Sequence, residues 1–415
     1  MRSRKVDKTI IITGVGPTRT IYAELMKHYD VAVYDHGQAS QLAMQHGNIE
    51  VKCPIAGAQQ MLFDNARNDA TLAAAEVVGA INNETSFSDN GSSAQHIKAK
   101  TWLPGLSLAH FVDLYANLRA LDAYAKDDEG DEKTVNLVGI IVHEDVTPKY
   151  KALALWGKAR GVPVIHMPHN NCYAQTRPDI HDTSVSDWIL ASSPYQRDWY
   201  GDRGFPKDHI KIVGFPGWDE WHELDLNKEK ARTMLRIEPD ETVVTLCTGW
   251  PQRTNYVDDH SMTEAMVHLT MDAARDAGFR VIWKIHPGDM QGQEQHAARL
   301  AASYRVPAIV VRDHLPYALM AADVVISTGP SNVLVEAGIA GVAPALFNLR
   351  GYGFDRMPPF VVEPDKDSII DTVNYLTSSN EWQTKRAAFI RRYAFRDDGK
   401  AVKRAIRQIK KIFND

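Results

Sequence analysis

The stretch that decides the fold of this 415-residue chain lies in its second half, where residues 323–338 read DVVISTGPSNVLVEAG. Val324–Ile326 form a continuous apolar run, which is typical of a strand buried on both faces of a parallel sheet. The small residues between Ser327 and Ser331 predict a tight loop, and the apolar spacing from Asn332 onward predicts a helix. This strand–loop–helix unit indicates a doubly wound α/β fold.

The same alternation of short apolar runs and longer amphipathic stretches extends in both directions from this unit. In the second half we predict strands at Thr242–Cys247, Phe279–Ile285, Ala308–Val311, Asp323–Ser327 and Ala343–Phe347. Helices are predicted there at Asp259–Ala277, Gln291–Tyr304, Leu315–Ala321, Asn332–Ala340 and Asp365–Ser378, followed by a helical tail. The first half has predicted strands at Thr9–Val15, Val31–Tyr34, Val135–Val142, Val162–His166, Asp187–Ala191 and His209–Val213. Its predicted helices are Thr18–His28, Ser107–Ala125 and Thr147–Arg160.

Residues 214–227, GFPGWDEWHELDLN, interrupt this rhythm with glycines, a proline, two tryptophans and acidic residues, which indicates a linker. We therefore expect an α/β protein of two doubly wound Rossmann-like domains that face each other across a cleft. The expected division is residues 1–214, a linker over 215–227, residues 228–395, and a basic C-terminal helix over 396–415 that packs on the body. The polar segments 82–100 and 126–134 are expected to be surface loops.

The composition excludes several classes of protein. With 44% hydrophobic and 24% charged residues, the chain is neither disordered, collagen-like nor a membrane-spanning bundle. A net charge of −5 argues against a chain that is, as a whole, a basic nucleic-acid binder. The three cysteines, Cys53, Cys172 and Cys247, form no CxxC pair, which favours a reducing compartment over a disulfide framework or a zinc–thiolate site.

The amino terminus, MRSRKVDKTIIITGVG, is basic and then apolar, but the apolar run is short and a Gly-Val-Gly-Pro turn follows it. No stretch approaches the ~18 uncharged residues of a transmembrane helix. The sequence therefore predicts a cytoplasmic protein and leaves peripheral membrane contact open.

Two loops of the second half carry groups suited to binding a phosphate. In parallel sheets ligands bind beyond the carboxyl ends of the strands. KIHPGD places His286 at such an end, where an imidazole can donate to a phosphate and Pro287 stiffens the turn. Lys284 alternates with His286 on the same face of the strand, so one of the two is expected to be solvated.

The second loop is the one quoted first. Backbone N–H groups at the start of the helix, neighbouring hydroxyls and the helix dipole together make an anion site. Glu336, one turn into the helix, can accept hydrogen bonds from ribose hydroxyls. The structural alternative is that Ser331 is an ordinary N-cap and Glu336 a solvated helix residue.

The loop after the first strand, Gly14-Val15-Gly16-Pro17-Thr18-Arg19, begins like a dinucleotide-binding fingerprint. Arg19 occupies the third glycine position and no acidic residue is placed to bind a ribose, so the loop is weak evidence for NAD. It is either a glycine turn into a helix or a place where an acceptor approaches the backbone closely. Gly14, Gly16 and Arg19 are therefore acceptor-side candidates.

Four motifs in order resemble the nucleotide-sugar transferases of the two-Rossmann type, the GT-B architecture, and especially the CDP-glycerol glycerophosphotransferase and capsule-polymer transferase branch. They are WILASSPYQRDWYGDRGFPKDHIKIVGFPGWD at 188–219, KIHPGD at 284–289, ADVVISTGPSNVLVEAGIAGVAP at 322–344 and DDGKAVKRAIRQI at 397–409. UDP-N-acetylglucosamine 2-epimerases share this fold and a similar tail. The resemblance covers roughly residues 135–410, and the first 130 residues match no family that we can name.

The resemblance implies a role for each donor-side residue. His286 would bind the donor diphosphate, with Lys284 beside it, and Glu336 would hold the ribose. The phosphate oxygens would be held by the loop residues Ser327, Thr328, Gly329, Ser331 and Asn332. Trp250, in Thr248-Gly249-Trp250, matches the family's aromatic-ended loop and either lines the cleft or belongs to the core.

The resemblance also implies a general base in the first domain. The family carries a His-Gly turn there, whereas VPVIHMPHNN has His169 followed by Asn170, a departure from the pattern. IIVHEDVTP, one strand earlier, offers His143, Glu144 and Asp145 after a strand end. Asp145 is alternatively the N-cap of the next helix.

The expected chemistry uses no metal and no cofactor, because no HExxH motif or His/Cys cluster is visible in the sequence. Between Lys385 and Lys411 there are eleven Lys or Arg residues and two Asp. The apolar stripe Val402, Ala405, Ile406, Ile409 and Phe413 is expected to pack on the body. The charged face is either solvated surface or contacts anionic lipid or nucleic acid.

Three functions remain open at this stage. The leading hypothesis is transfer of a sugar or polyol phosphate from a nucleotide-activated donor to an acceptor hydroxyl on a glycan, a cell-surface polymer or a modified nucleic acid. The second is a 2-epimerase, although the epimerases' Gly-Thr-Arg-Pro-Glu and His-Arg-x-Glu-Asn runs are replaced here by GVGPTRT and TGWPQRTN. The third is a non-catalytic nucleotide-sugar binding protein.

Overall fold

The computed structural model describes residues 8–46, 71, 112–125, 136–145, 147–169, 184–248, 259–287, 292–329, 331–347 and 359–414. Within these residues, one parallel sheet contains β1 (Thr9–Ile12), β2 (Asp30–Val33), β3 (Leu137–Val142), β4 (Val164–His166), β5 (Trp188–Ala191) and β6 (Ile210–Ile212). Its strand order is β2-β1-β3-β4-β5-β6. A second parallel sheet contains β7 (Val243–Cys247), β8 (Arg280–Lys284), β9 (Ala308–Val311), β10 (Val324–Ser327), β11 (Ala343–Phe347) and β12 (Phe360–Val362). Its order is β12-β11-β10-β7-β8-β9.

Helices connect these strands, as parallel pairing requires. In the first half they are α1 (Pro17–Thr20), α2 (Tyr22–Leu25), α3 (His36–Gln45), α4 (112–124), α5 (Pro148–Ala159) and α6 (Pro194–Asp202). In the second half they are α7 (Lys228–Leu235), α8 (Asp259–Ala277), α9 (Gln293–Tyr304), α10 (Leu315–Met320), α11 (Asn332–Ile339), α12 (Lys366–Ser378), α13 (Glu381–Tyr393) and α14 (Ala401–Ile412). Short polar side chains cap several of them: the side chains of Asp35, Ser193 and Asp365 accept from backbone N–H groups of α3, α6 and α12.

The two-sheet α/β architecture expected from the sequence is confirmed. The central strands are buried along most of their length, which explains why the sequence shows them as continuous apolar runs. Differences lie mainly at element ends, where the observed strands are one to three residues shorter in several cases. The predicted helix Thr18–His28 is two short helices, and β12 was not predicted. The expected loops over 82–100 and 126–134 lie outside the described residues.

The segment between the sheets is more ordered than the word linker suggests. Pro216–His222 form a 3-10 helix in which Trp218 and Trp221 are buried. The carboxylate of Asp219 accepts from the backbone N–H groups of Ala401 and Val402, at 2.9 and 2.8 Å, and so caps α14. This segment therefore joins the first sheet, the second sheet and the last helix.

Helix α14 returns to the first sheet. Ala405, Ile406, Ile409 and Phe413 are buried in the same cluster as β1 and β2, and Val402 packs at its margin. A Cβ placed on Gly139 of β3 would lie 2.1 Å from Phe413 Cζ, so glycine is needed there for the helix to approach. The second half of the chain thus completes the hydrophobic core of the first.

Candidate functional site

Each sheet has a topological switch point, where the chain turns to opposite sides of the first strand. In the second sheet β7 lies between β10 and β8, and Ser327, Cys247 and Lys284 are paired as the last rung of these strands. The loops that carry His286 and Thr328 therefore leave the same edge of the sheet, about 10 Å apart at two strand spacings. The two loops are therefore close enough to contribute to one pocket.

The loop after β10 is shaped by its own hydroxyl groups. Ser327 Oγ donates to the carbonyl of Gly329 at 2.5 Å, and the backbone N–H of Thr328 donates to Cys247 O at 3.1 Å. The side chains of Ser327 and Thr328 are 1% and 5% exposed. The expectation that both hydroxyls hold phosphate oxygens is therefore revised, because they are covered by protein and Ser327 is committed to the loop.

Ser331 takes the structural position that the sequence offered as its alternative. It is the N-cap of α11, and its Oγ accepts from Val333 N at 3.4 Å. Asn332 begins the helix, so the first-turn N–H groups of α11 follow the loop directly at the edge of the sheet. The groups of this loop that are chemically suited to an anion are the backbone N–H groups that begin α11, with Ser331 and Asn332 beside them.

His286 follows β8 and is half-buried. Its carbonyl accepts from Arg312 Nη1 at 3.2 Å, and the same guanidinium contacts the carbonyl of Pro287 at 3.3 Å. Glu294 holds Arg312 in place by an ion pair. Sequence reasoning missed Arg312, which follows β9 on the neighbouring strand and fixes the His-Pro turn.

Lys284 does not reach the open edge of the sheet. It is buried, and its Nζ donates to Ile285 O at 2.6 Å. Burial lowers its pKa and raises the pKa of the adjacent Cys247 thiol to about 12. The expectation that Lys284 binds donor is revised, because its ammonium is turned into the protein.

Glu336 is half-buried on α11, and its Oε1 accepts from the indole Nε1 of Trp218 at 3.1 Å. Burial, with the negative charge of Glu220 adding to it, raises the pKa of Glu336 to about 7. The alternative of a solvated helix residue is therefore wrong. Trp218 belongs to the segment between the sheets, so this carboxyl group connects that segment to α11, the helix that follows the loop after β10.

The switch point of the first sheet contains histidines. Thr13 follows β1 and His143 follows β3, and these strands are neighbours. Thr13 Oγ1 lies 2.9 Å from the backbone nitrogen of His143 and 2.8 Å from its Nδ1. The ring of Tyr150 packs edge-on against the imidazole with centroids 4.5 Å apart. Burial, assisted by the charges of His169 and His166, lowers the pKa of His143 to about 3.

Asp145 lies behind this edge and is fully buried. Its Oδ2 accepts from Ser184 Oγ at 2.6 Å and from Ser186 N and Oγ at 2.9 and 2.7 Å. Although burial opposes ionisation, the His166 imidazole and these donors hold the pKa of Asp145 below its ordinary value. It neither contacts the cleft nor caps α5, whose N-cap is Thr147. Both sequence expectations for Asp145 are revised, because three hydrogen bonds commit it to the interior.

The acceptor-side glycine loop contacts the predicted base. Gly16 has φ +55°, and a Cβ there would lie 3.0 Å from His169 Cβ, so the turn needs glycine. The N–H of Gly14 donates to Gln38 Oε1 at 2.7 Å and is committed within the protein. Arg19 is exposed on α1 and faces the acidic Glu220.

His169 is exposed, and its backbone carbonyl accepts from Asn332 Nδ2 at 3.3 Å. Asn332 is the first residue of α11 in the second half, so this bond joins the two switch points directly. His143, Glu144 and His169 also come together, with one potential ligand atom from each within 4.8 Å of the others. The sequence presents these residues as alternative bases and not as one group, because 25 residues separate Glu144 from His169 and place them in two strand–loop units.

Two residues that the sequence analysis named, Trp250 and Asn170, lie outside the described residues. Part of the basic tail is neutralised by ion pairs: Arg386 with Asp397, Arg392 with Asp198, Arg404 with Asp398 and Lys385 with Glu381. Among the helices that the structure describes, none combines the length and apolar character needed to cross a bilayer.

Comparison with known protein structures shows which fold the chain has. No family model matches the chain, and no curated protein matches its sequence. The structure of UDP-GlcNAc 2-epimerase from Neisseria meningitidis bound to UDP-GlcNAc is 14% identical, with a TM-score of 0.60 over 97% of this chain and 100% of that one. The MnaA–UDP structure from S. aureus is 11% identical, with a TM-score of 0.56 over 98% and 97%. The wall teichoic acid polymerase TagF (H548A) is 13% identical, with a TM-score of 0.53 over 99% and 90%.

At these identities the likeness concerns architecture. It extends over nearly the whole chain, including the first 130 residues, for which the sequence suggested no relative. The chain has the GT-B fold, two parallel α/β sheets whose switch points meet, as the resemblance of its motifs implied.

Proposed function

We propose that this protein is an enzyme that transfers a sugar or a polyol phosphate from a nucleotide-activated donor to an acceptor hydroxyl. The observation that carries the proposal is the hydrogen bond from Asn332 Nδ2 to the carbonyl of His169. It brings the helix start suited to an anion next to an exposed imidazole from the other sheet. A donor and an acceptor bound at the two switch points would therefore meet at this contact.

On the donor side, charge develops on the nucleotide phosphate as the bond to the transferred group breaks. N–H donors placed in advance at that position stabilise such charge. The first turn of α11, with its dipole, supplies such donors after Ser331, and His286 lies two strands away on the same edge. Glu336, connected to Trp218, is placed to accept hydrogen bonds from ribose hydroxyls.

On the acceptor side, a base must remove the proton of the attacking hydroxyl. His169 and Glu144 are the candidates, because one is exposed and the other half-buried at the same edge. Asp145 is excluded from this role by its burial. Closure of the two halves would exclude water that otherwise competes with the acceptor.

The compared structures suggest which donors to test. The N. meningitidis 2-epimerase structure holds UDP-GlcNAc, the S. aureus MnaA structure holds UDP, and a TagF structure was soaked with the compound abbreviated CDPG. Epimerisation is the second candidate function, favoured by coverage of the whole epimerase chain at a TM-score of 0.60. An epimerase converts UDP-N-acetylglucosamine without acceptor, whereas a transferase releases nucleotide only when acceptor is present.

The first experiment is a thermal-shift screen with UDP, CDP, GDP and CMP donors, followed by calorimetric titration of any nucleotide that raises Tm. We expect His286→Ala to weaken binding at least tenfold, the loss of about 1.4 kcal/mol. His296→Ala, an exposed histidine on α9, is the matched control. Unchanged donor affinity in the His286 variant would contradict the assignment of the donor site.

A second pair of variants separates binding from chemistry. Ser331→Ala should weaken nucleotide binding and also destabilise α11, so its Tm is measured without ligand, with exposed Ser303→Ala as control. His169→Ala should retain donor affinity and lose transfer. Tight binding without turnover across broad donor and acceptor panels would instead identify a non-catalytic binding protein.

A further inference from the structure

His143, Glu144 and His169 present two imidazoles and one carboxylate at the switch point of the first sheet. Their potential ligand atoms all lie within 4.8 Å of one another, close enough for one ion to contact all three after small side-chain rotations. Two histidines and a carboxylate form the ligand set of many catalytic zinc sites. We propose that these three residues bind a divalent transition-metal ion of the Zn²⁺ class.

The ring of His143 is held in the orientation of a metal ligand. Its Nδ1 lies 2.8 Å from Thr13 Oγ1, the outer contact that metal-binding histidines commonly make. In the tautomer whose Nδ1–H donates to Thr13, Nε2 carries the lone pair that an ion would take. Tyr150 packs against the ring, and its own hydroxyl accepts from Gln38 Nε2 at 2.8 Å.

The other two ligands are positioned by separate contacts. Glu144 Oε1 accepts from Thr147 Oγ1 at 2.5 Å, which orients the carboxylate at the start of α5. His169 is fixed through its backbone, between the Gly16 turn and Asn332 Nδ2. Its imidazole lies 5.4 Å from that of His143, measured between ring centroids.

The backbone between these ligands is anchored from below. His166 Nε2 lies 3.2 Å from the carbonyl of His143, and Asp145 holds the strand-end turn through the serines before β5. A site built on strand ends and supported by buried contacts keeps its ligands close to binding geometry before the ion arrives.

The ligand set also selects the ion. Imidazole nitrogen suits Zn²⁺, Cu²⁺, Ni²⁺ and Co²⁺, whereas Mg²⁺ and Ca²⁺ prefer oxygen ligands. Because His169 is exposed, solvent or a bound hydroxyl could complete the coordination of an ion here. An ion at this place would lower the pKa of a coordinated acceptor hydroxyl, and this activation would replace direct deprotonation by His169 or Glu144, whose lone pairs the ion would occupy.

The metal proposal does not rest on the proposed function. It differs from the expectation of a metal-free site, which was drawn from sequence motifs alone. Metal binding is measured without nucleotide or acceptor, and donor binding is measured at the other switch point, so either proposal can fail while the other stands.

The test is titration of the full chain, without an affinity tag and after treatment with a chelator, with Co²⁺ followed by its visible absorption. We expect one equivalent to bind with the spectrum of a nitrogen/oxygen site and to be displaced by Zn²⁺. His169→Ala and Glu144→Gln, both at accessible positions, should each weaken Co²⁺ binding more than tenfold. Thr13→Val, which removes the hydroxyl that contacts both Nδ1 and the backbone nitrogen of His143, should weaken it about tenfold.

His296→Ala is the control, since its imidazole lies on exposed α9. Circular dichroism of each variant verifies that it is folded. The proposal is overturned if His169→Ala and Glu144→Gln bind Co²⁺ as the parent does. It is also overturned if the parent shows no saturable absorption, or if the His296 variant loses it.

Discussion

The two switch points are both built from parallel strands, and their polar groups have opposite chemistry. At the carboxyl ends of β3 and β4 these groups are two imidazoles and one carboxylate that donate electron pairs: His143, Glu144 and His169. Around β7 and β10, the corresponding edge presents the N–H groups that begin α11 and a loop closed by the Ser327 hydroxyl. The groups at one edge are thus electron-pair donors, and the groups at the other edge are N–H donors.

Burial disfavours the charged form of a side chain at both switch points. It therefore shifts the pKa of a histidine and the pKa of a carboxyl group in opposite directions. It lowers the pKa of His143 to about 3, so that imidazole is neutral at physiological pH. It raises the pKa of Glu336 to about 7, so that carboxyl group is partly protonated there. The fold therefore supplies the carboxyl edge of each sheet, whereas the residues at that edge and their exposure to solvent decide what it can bind.

The largest effect is expected from removing the buried anchor of the first switch point. Asp145→Ala leaves Ser184 and Ser186 without their buried acceptor, so it should lower the free energy of unfolding by on the order of 3–5 kcal/mol. Urea denaturation measures this. Asp202→Ala, at an exposed aspartate, should change it by less than about 0.5 kcal/mol. A loss below about 1 kcal/mol for Asp145→Ala would show that the first edge lacks such an anchor.

The second-largest effect is expected in the stability of the protein at acidic pH, and it comes from His143 at the same sheet edge. Because the folded-state pKa of His143 lies below the ordinary 6.5, its contribution is present above pH 6.5 and is lost as the pH falls toward about 3. His143→Phe keeps a ring against Tyr150 and should flatten the unfolding free energy over that window. Denaturation from pH 7 to 4 measures it, with exposed His296→Phe as control. An unchanged acid slope would contradict the burial of His143.

The second switch point should show the reverse sign. Because the folded-state pKa of Glu336 is raised from 4.5 to about 7, its contribution is present below pH 4.5 and is lost as the pH rises through 7. Glu336→Gln retains an acceptor for Trp218 and should remove that loss, so the variant becomes more stable than the parent at pH 8. Glu229→Gln, exposed on α7, is the control. Equal stability of Glu336→Gln and parent at pH 8 would remove the contrast between the two edges.

The smallest effect is expected from removing the hydrogen bond that joins the carboxyl edges of the two sheets. Asn332→Ala removes the bond to the carbonyl of His169 and should lower the unfolding free energy by about 0.5–1.5 kcal/mol. Asn374→Ala, exposed on α12, should leave it unchanged. If both variants behave alike in denaturation, the contact contributes nothing measurable to holding the two halves together.

The fold was largely predictable, because a strand buried on both faces must be apolar throughout and a connecting helix must be amphipathic. Ala308–Val311 and Ala343–Phe347 were located to the residue on this basis. β12 was missed because its short run FVV, where Val361 is exposed, resembles a loop. The side-chain roles were less predictable: Ser327, Lys284 and Asp145 have the residue types of a site, and their burial removes them from it.

The sequence by itself determined that the chain forms two α/β sheets and that the candidate loops of each sheet leave it at the carboxyl edge. It also determined that a helix begins shortly after Ser327. These are consequences of local periodicity and of the rule that parallel strands carry their ligands at the carboxyl end. Only the tertiary structure decided that His143, Glu144 and His169 meet, that Trp218 holds Glu336, and that Asn332 reaches His169. Those contacts depend on how strands distant in sequence lie side by side, and on which polar atoms the packing leaves to solvent.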